Sequence, residues 1–301
     1  MRDLISIRDL EKKDVQSYFS QSAKMEKILL TGKQCRLLEG KLIANMFFEA
    51  STRTNMSFQA AAKRLGAKVM TFYPSQSSGA KGESFSDTIR VMDGYADALV
   101  IRHPTEGSAQ IAADLAEHPV INAGDGANQH PTQTLIDLYT IQKLQGKISG
   151  LNVALLGDLK HARVMRSLLY GLGMFGANTT LISPPVLKMD KKVIEETKAK
   201  FKASISETAN TSLDGFDVLY VCRIQKERFT DQAEAERLQA SFRLTESMLA
   251  RAPTDLAIMH PMPKVDEVPP GIDSDPRAKY FEQAKNGVPV RMAVLHSCIM
   301  G

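Results

Sequence analysis

The chain has 301 residues, 43% of them hydrophobic and 24% charged, which excludes a disordered chain and points to a folded core. That length exceeds the usual size of a single core, so two α/β lobes of about 130 to 150 residues each are expected. A formal net charge of +4, with no Lys/Arg-rich block and no interleaved aromatic run, argues against a nucleic-acid partner but suits small anionic substrates.

The N-terminal run MRDLISIRDLEKKD has no apolar stretch of signal-peptide type, and no segment approaches the ~20 apolar residues that span a bilayer. A cytoplasmic protein with no membrane partner is expected. Short β-rich runs then recur between helical stretches: LIANMFF at 42–48, VMTFY at 69–73, ALVI at 98–101 and PVIN at 119–122. The series continues with NVALLG at 152–157, TTLIS at 179–183, DVLYV at 217–221 and LAIMH at 256–260. Such alternation predicts βαβ units, hence an α/β fold of two lobes, each a central parallel sheet flanked by helices on both faces. Between Pro131 and Gly146, proline at the start, glycine at the end and Leu135, Leu138 and Tyr139 at helical spacing predict a helix near the crossing between lobes. Long loops are expected from Pro74 to Ser86 and from Pro261 to Pro276. Cys35, Cys222 and Cys298 are odd in number and far apart, so neither a disulfide framework nor a metal site is expected.

The strongest local signal is FFEASTRTNMSFQAAAKRLGA, from Phe47 to Ala67. An apolar strand runs into Ser51, Thr52, Arg53 and Thr54, followed by a helix whose Phe58, Ala61, Ala62 and Leu65 form one apolar stripe ending at Gly66. Three hydroxyls and a guanidinium thus sit at a helix start on the carboxyl edge of a sheet. Free backbone N–H groups and the positive end of the helix dipole favour a phosphate there, and Arg53 can add a bidentate contact. A plain N-cap is the competing reading, since Ser and Thr are common there for stability alone. Four consecutive polar residues including an arginine favour the anion site. NVALLGD at 152–158 lacks the GxGxxG pattern, which argues against a dinucleotide site.

Ser51-Thr52-Arg53-Thr54 resembles the carbamoyl phosphate signature of the aspartate and ornithine carbamoyltransferases. Four further segments match that family in order: Ser77 to Ser84 (SSGAKGES), Arg102-His103-Pro104, His130-Pro131-Thr132-Gln133, and His260-Pro261-Met262-Pro263. GDLKHARVMRSL, from Gly157 to Leu168, and CRIQKERF, from Cys222 to Phe229, resemble the aspartate-binding segments, while HPMPK stands where ornithine enzymes carry a cysteine-containing motif. The resemblance runs along the whole chain and favours the aspartate branch; transfer to another amino acid such as ornithine is the alternative. Arg163 and Arg223 are permanent cations whose planar forks suit the two carboxylates of aspartate, and Gln225 can add a neutral hydrogen bond.

The resemblance implies a carbamoyl phosphate-binding lobe of residues 1–131 plus 286–301 and an aspartate-binding lobe of residues 132–285. It implies transfer of the carbamoyl group to the amino group of L-aspartate, giving N-carbamoyl-L-aspartate and phosphate in de novo pyrimidine (UMP) synthesis. Ser51, Thr52, Arg53 and Thr54 would hold phosphate; Arg53, Thr54, Arg102 and His130 would be catalytic, the last three stabilising the carbonyl oxyanion; Gln133, Pro261, Met262 and Pro263 would complete the carbamoyl phosphate site. Lys81, Arg163, Arg223 and Gln225 would bind aspartate. A homotrimer is implied, with Ser77 and Lys81 reaching the neighbouring subunit's site, and no metal or cofactor. Family members with segments like His103 to Gly107 often pair with a separate zinc-containing regulatory chain, which makes such a chain a candidate partner.

Overall fold

The computed structural model describes residues 3–76 and 82–301. The apolar runs become two parallel sheets. β1 (Leu42–Phe47), β2 (Lys68–Phe72), β3 (Ala98–His103) and β4 (Val120–Asp125) form one sheet in the order β2-β1-β3-β4. β5 (Asn152–Gly157), β6 (Asn178–Ile182), β7 (Ser204–Thr208), β8 (Val218–Cys222) and β9 (Ala257–Met259) form the other, in the order β7-β6-β5-β8-β9. Every ladder is parallel, so each strand-to-strand connection must cross over, and most of these crossovers carry helices.

The chain divides into two compact units, Met1–Ile136 with Asn286–Gly301, and Asp137–Lys285. The divisions fall within α5 (Pro131–Gln145) and α10 (Tyr280–Met300). The first unit holds the four-stranded sheet with α1 (Lys12–Leu30), α2 (Thr52–Arg64), α3 (Phe85–Asp93) and α4 (Ser108–Leu115). The second holds the five-stranded sheet with α6 (Arg163–Phe175), α7 (Lys191–Phe201), α8 (Gln232–Ser241) and α9 (Glu246–Arg251).

The stripe on α2 is buried as its spacing predicts: Phe58, Ala61, Ala62 and Leu65 are each 0% exposed. Burial of a side chain such as Phe58 contributes about 1.5–3 kcal/mol. The helix stops because Gly66 takes φ +87°, a left-handed turn, and packs so close to the Cys35 carbonyl that a Cβ would lie 3.1 Å from it. Leu135, Leu138 and Tyr139 on α5 are likewise buried.

The expected loop from Pro74 to Ser86 includes residues 77–81, which lie outside the described residues. A 3-10 turn occupies Pro74–Gln76, and α3 starts at Phe85 because the Ser84 hydroxyl accepts the Asp87 backbone N–H at 3.1 Å. The stretch from Pro261 to Pro276 is irregular apart from a 3-10 turn at Pro270–Ser274. β7 was not visible in the sequence pattern. It pairs only with β6 and is mostly exposed, so nothing selects an apolar run there. Among the described residues no helix is long and apolar enough to cross a membrane.

Strand order decides where chemistry is placed. In the first sheet the chain moves outward from β1 to β2 and then returns to β3, so it reverses direction between β1 and β3. In the second it moves from β5 through β6 to β7 and returns to β8 on the other side of β5. Loops leaving the carboxyl ends of strands beside such a reversal diverge above and below the sheet and leave room for a ligand between them.

Candidate active site

At the reversal in the first unit, β1 leads through Phe48–Ala50 into α2, and β3 ends in Arg102 and His103. Phe47 and Arg102 are register partners, so the two loops start side by side. Ser51 stands at the N-cap of α2 in extended conformation (φ −158°, ψ 101°), yet its hydroxyl makes no capping hydrogen bond. The first turn contains no acidic residue. Arg53 is exposed in that turn, and its guanidinium makes no hydrogen bond or ion pair with a described residue. Partial burial lowers the Arg53 pKa, although a guanidinium remains charged at neutral pH. A cation beside the positive end of a helix dipole, with the cap hydroxyl unused, is unfavourable by itself and favourable around a dianion. Thr52 is exposed and Thr54 is buried at 7% exposure, so they face different surroundings from one turn.

Arg102 is held nearby. Its side chain is 12% exposed, its Nε lies 3.3 Å from a Glu49 carboxylate oxygen, and its Nη1 donates to the Ala123 carbonyl at 3.4 Å. Glu49 is a residue that motif reading passed over; as part of FFEASTRT it was on view, but only the fold shows it beside Arg102. The neighbouring His103 lies 5.1 Å from Phe48 and 4.9 Å from Phe85, ring centre to ring centre. Burial lowers its pKa, against the raising effect of Asp125 and Glu49 nearby, and its Nδ1 accepts the Thr105 N–H at 3.0 Å.

His130 precedes α5 and is buried at 6% exposure. Its backbone carbonyl accepts the N–H groups of Gln133 and Thr134, both at 3.1 Å, which starts the helix and projects Gln133 from the first turn. Asp125 ties this loop to the end of β3. Its carboxylate accepts from Gln129 N–H (3.0 Å), Gly107 N–H (2.9 Å), Asn122 Nδ2 (3.0 Å) and Asn128 Nδ2 (3.0 Å). The fold therefore brings Ser51 to Thr54, Arg102, His130 and Gln133 to one edge of one sheet.

The second unit repeats the arrangement. Arg163 is the first residue of α6, whose N-cap, Ala162, offers no side-chain acceptor and whose first turn has no acid. Arg223 and Gln225 follow β8, the strand paired with β5. Gly157, where β5 ends, has φ +121°, and a Cβ there would lie 2.0 Å from the Cys222 carbonyl, so only glycine lets the two strand ends meet. The loop before Arg163 is fixed by the wholly buried Asp158, which accepts the His161 N–H at 3.0 Å and lies 3.1 Å from its Nδ1. The Gln225 side-chain oxygen Oε1 accepts from Arg228 Nε at 2.9 Å, which leaves the side-chain NH2 as its donor. Burial raises the Cys222 pKa, so this neighbour of Arg223 stays a thiol.

β9 ends beside β8 and leads into His260-Pro261-Met262-Pro263. The Met262–Pro263 peptide is cis, and Met262 adopts φ +59°. The segment is anchored from below: the Gln283 side-chain oxygen accepts the His260 N–H at 2.8 Å, the Gln283 NH2 donates to Asp137 at 2.7 Å, and the Tyr220 hydroxyl donates to the other Asp137 oxygen at 2.9 Å. Ser77 and Lys81 lie outside the described residues.

Two family profiles match the chain: "Aspartate/ornithine carbamoyltransferase, carbamoyl-P binding domain" over residues 2–143, and "Aspartate/ornithine carbamoyltransferase, Asp/Orn binding domain" over residues 149–298. The aspartate carbamoyltransferase catalytic subunit of Archaeoglobus fulgidus is 47% identical over 301 residues, covering 100% of both chains. The catalytic subunit of M. jannaschii aspartate transcarbamoylase has a similar structure, with a TM-score of 0.93 and 46% identity over 100% of this chain and 98% of that one. Aspartate transcarbamoylase from Trypanosoma cruzi, solved with carbamoyl phosphate and aspartate, gives a TM-score of 0.92 and 35% identity over 98% and 95% of the two chains. With both halves matched and close relatives spanning its full length, the chain belongs to the aspartate/ornithine carbamoyltransferase family.

Proposed function

We propose that the chain transfers the carbamoyl group of carbamoyl phosphate to the amino group of L-aspartate, releasing N-carbamoyl-L-aspartate and phosphate in pyrimidine synthesis. The observation that carries this reading is the pair of uncapped helix starts, each with an arginine and no acid in its first turn, at the direction reversals of the two sheets. One set of cations suits a phosphate and the other a dicarboxylate. The relatives named above as aspartate carbamoyltransferases support aspartate over ornithine.

In this reading Ser51, Thr52, Arg53 and Thr54 hold the phosphate. Thr54, Arg102 and His130 face the carbonyl oxygen, which gains negative charge as the aspartate amine attacks the carbonyl carbon. Gln133 and the backbone carbonyls of Pro261 and Met262 accept from the carbamoyl NH2, with Pro263 completing that turn. Arg163, Arg223 and Gln225 hold aspartate, joined by Lys81, which with Ser77 comes from the adjacent subunit of a homotrimer. The departing phosphate takes the amine proton, so the chemistry calls for no side-chain base, metal or organic cofactor. Positioning two reactants supplies roughly 7–11 kcal/mol of the barrier reduction. A cytoplasmic location and a separate zinc-containing regulatory chain belong to the same reading.

A carbamoylation assay with L-aspartate beside L-ornithine tests it. An ornithine ammonium about 4 Å from one of the site's cations meets roughly 4 kcal/mol of repulsion at an effective dielectric near 20, nearly a thousandfold. Comparable rates with the two amino acids would reject the aspartate assignment.

A further inference from the structure

Met262 is one of only two non-glycine described residues with positive φ, at +59°, and the backbone there is held by a side chain rather than by a neighbouring strand. Its N–H donates to His260 Nδ1 at 2.8 Å. A backbone N–H can only donate, so Nδ1 carries no proton and the ring proton of the neutral imidazole must lie on Nε2. That nitrogen faces Glu267 Oε1 at 2.9 Å, and the same oxygen accepts the Val265 N–H at 3.1 Å. Both side chains are nearly inaccessible, at 1% and 3% exposure. Burial pushes the Glu267 carboxyl up, but the bonds from His260 and the local backbone outweigh it and hold the pKa below its usual value, so the acceptor stays ionised.

We infer that His260 is a positioning residue: its Nδ1, with the tautomer set by Glu267, aims the Pro261 carbonyl at the substrate's NH2. This rests on the reading above in which that carbonyl accepts from the carbamoyl group. The peptide between Pro261 and Met262 carries both the N–H that His260 accepts and the Pro261 carbonyl, so fixing one end of this planar unit fixes the other. Rotation of that peptide would turn the carbonyl away and remove selectivity for an NH2 donor. The chain Glu267–His260–Met262 spans eight residues that no periodic pattern links.

Isosteric variants separate this role from simple packing. In His260→Asn the amide oxygen takes the place of Nδ1, whereas in His260→Gln the amide reaches the Nε2 position and leaves the Met262 N–H without its acceptor. Each purified full-length variant is assayed for aspartate carbamoylation, for competition by inorganic phosphate, and for preference for carbamoyl phosphate over acetyl phosphate, which carries CH3 instead of NH2. The expected result is a His260→Asn enzyme within about threefold of wild type and a His260→Gln enzyme whose kcat/KM for carbamoyl phosphate falls at least about tenfold, the scale of one lost hydrogen bond. Phosphate inhibition stays unchanged in both, and the preference over acetyl phosphate shrinks only in His260→Gln. An Asn variant as impaired as the Gln variant, or a folded Gln variant with undiminished preference, overturns the inference. If the Gln variant does not fold, Glu267→Met, which leaves the ring unanchored, replaces it with the same two outcomes. A wild-type enzyme that does not distinguish the two acyl phosphates instead overturns the underlying assignment of the carbonyls, and so fails separately.

Discussion

Replacing Arg53 by alanine separates binding chemistry from folding. The residue is exposed in the first turn of α2, and its guanidinium bonds to no described residue. Its removal therefore deletes no packing and leaves no buried partner unsatisfied, and alanine is the best helix former. Stability should change by no more than about 0.5 kcal/mol. The phosphate would lose a bidentate contact of two charge-assisted hydrogen bonds, worth about 1.5–3 kcal/mol each. The total of about 3–6 kcal/mol corresponds to a fall of roughly two to four orders of magnitude in kcat/KM for carbamoyl phosphate. Steady-state formation of carbamoyl aspartate measures the loss, and urea unfolding followed by circular dichroism measures stability. Activity within tenfold of wild type in a folded variant would refute the phosphate role. A loss of activity that tracks a loss of structure would show instead that Arg53 supports the fold.

Ser51→Ala should lower activity with almost no change in unfolding free energy, because the Ser51 hydroxyl makes no cap bond; a destabilisation near the ~1 kcal/mol of an ordinary cap would mean that it does cap in solution. Tyr220→Phe removes the hydroxyl that donates to buried Asp137 and should destabilise the protein by about 1–3 kcal/mol in urea titration; no change would mean that water replaces the bond. For Asp97, burial raises the pKa but the Lys41 ammonium at 2.8 Å and the Leu42 N–H outweigh it and hold it below 3.8. Its stabilising contribution is thus present above 3.8 and lost as pH falls through the lower folded value, so wild type and Asp97→Asn should converge in stability on acidification; a constant gap contradicts the shift. In the proposed homotrimer, Lys81→Ala and Arg53→Ala chains should each be nearly inactive alone and regain activity when reassembled together, since one site would then draw Arg53 and Lys81 from different chains; confirmed hybrids that stay inactive would reject the assignment of Lys81 to the neighbouring site.

The sequence by itself determined most of the strands and nominated the residues of the candidate site. Eight β-rich runs lie on eight of the nine described strands, because a parallel strand covered on both faces must be apolar along its length. β7 escaped for the same reason: an exposed edge strand with a single partner needs no such run. Ser51 to Thr54, Arg102, His130, Arg163 and Arg223 were nominated because contiguous polar residues at strand ends carry a local signal. What only the tertiary structure decided is which strand ends adjoin. The placing of β3 beside β1 and β8 beside β5 brings Arg102 next to the start of α2 and Arg223 next to the loop before Arg163. The buried supports were equally out of reach. Asp137, Tyr220 and Gln283 meet across 83 and 146 residues of sequence. Single polar residues leave no periodic trace, and their pairing is fixed only when burial obliges each donor to find an acceptor.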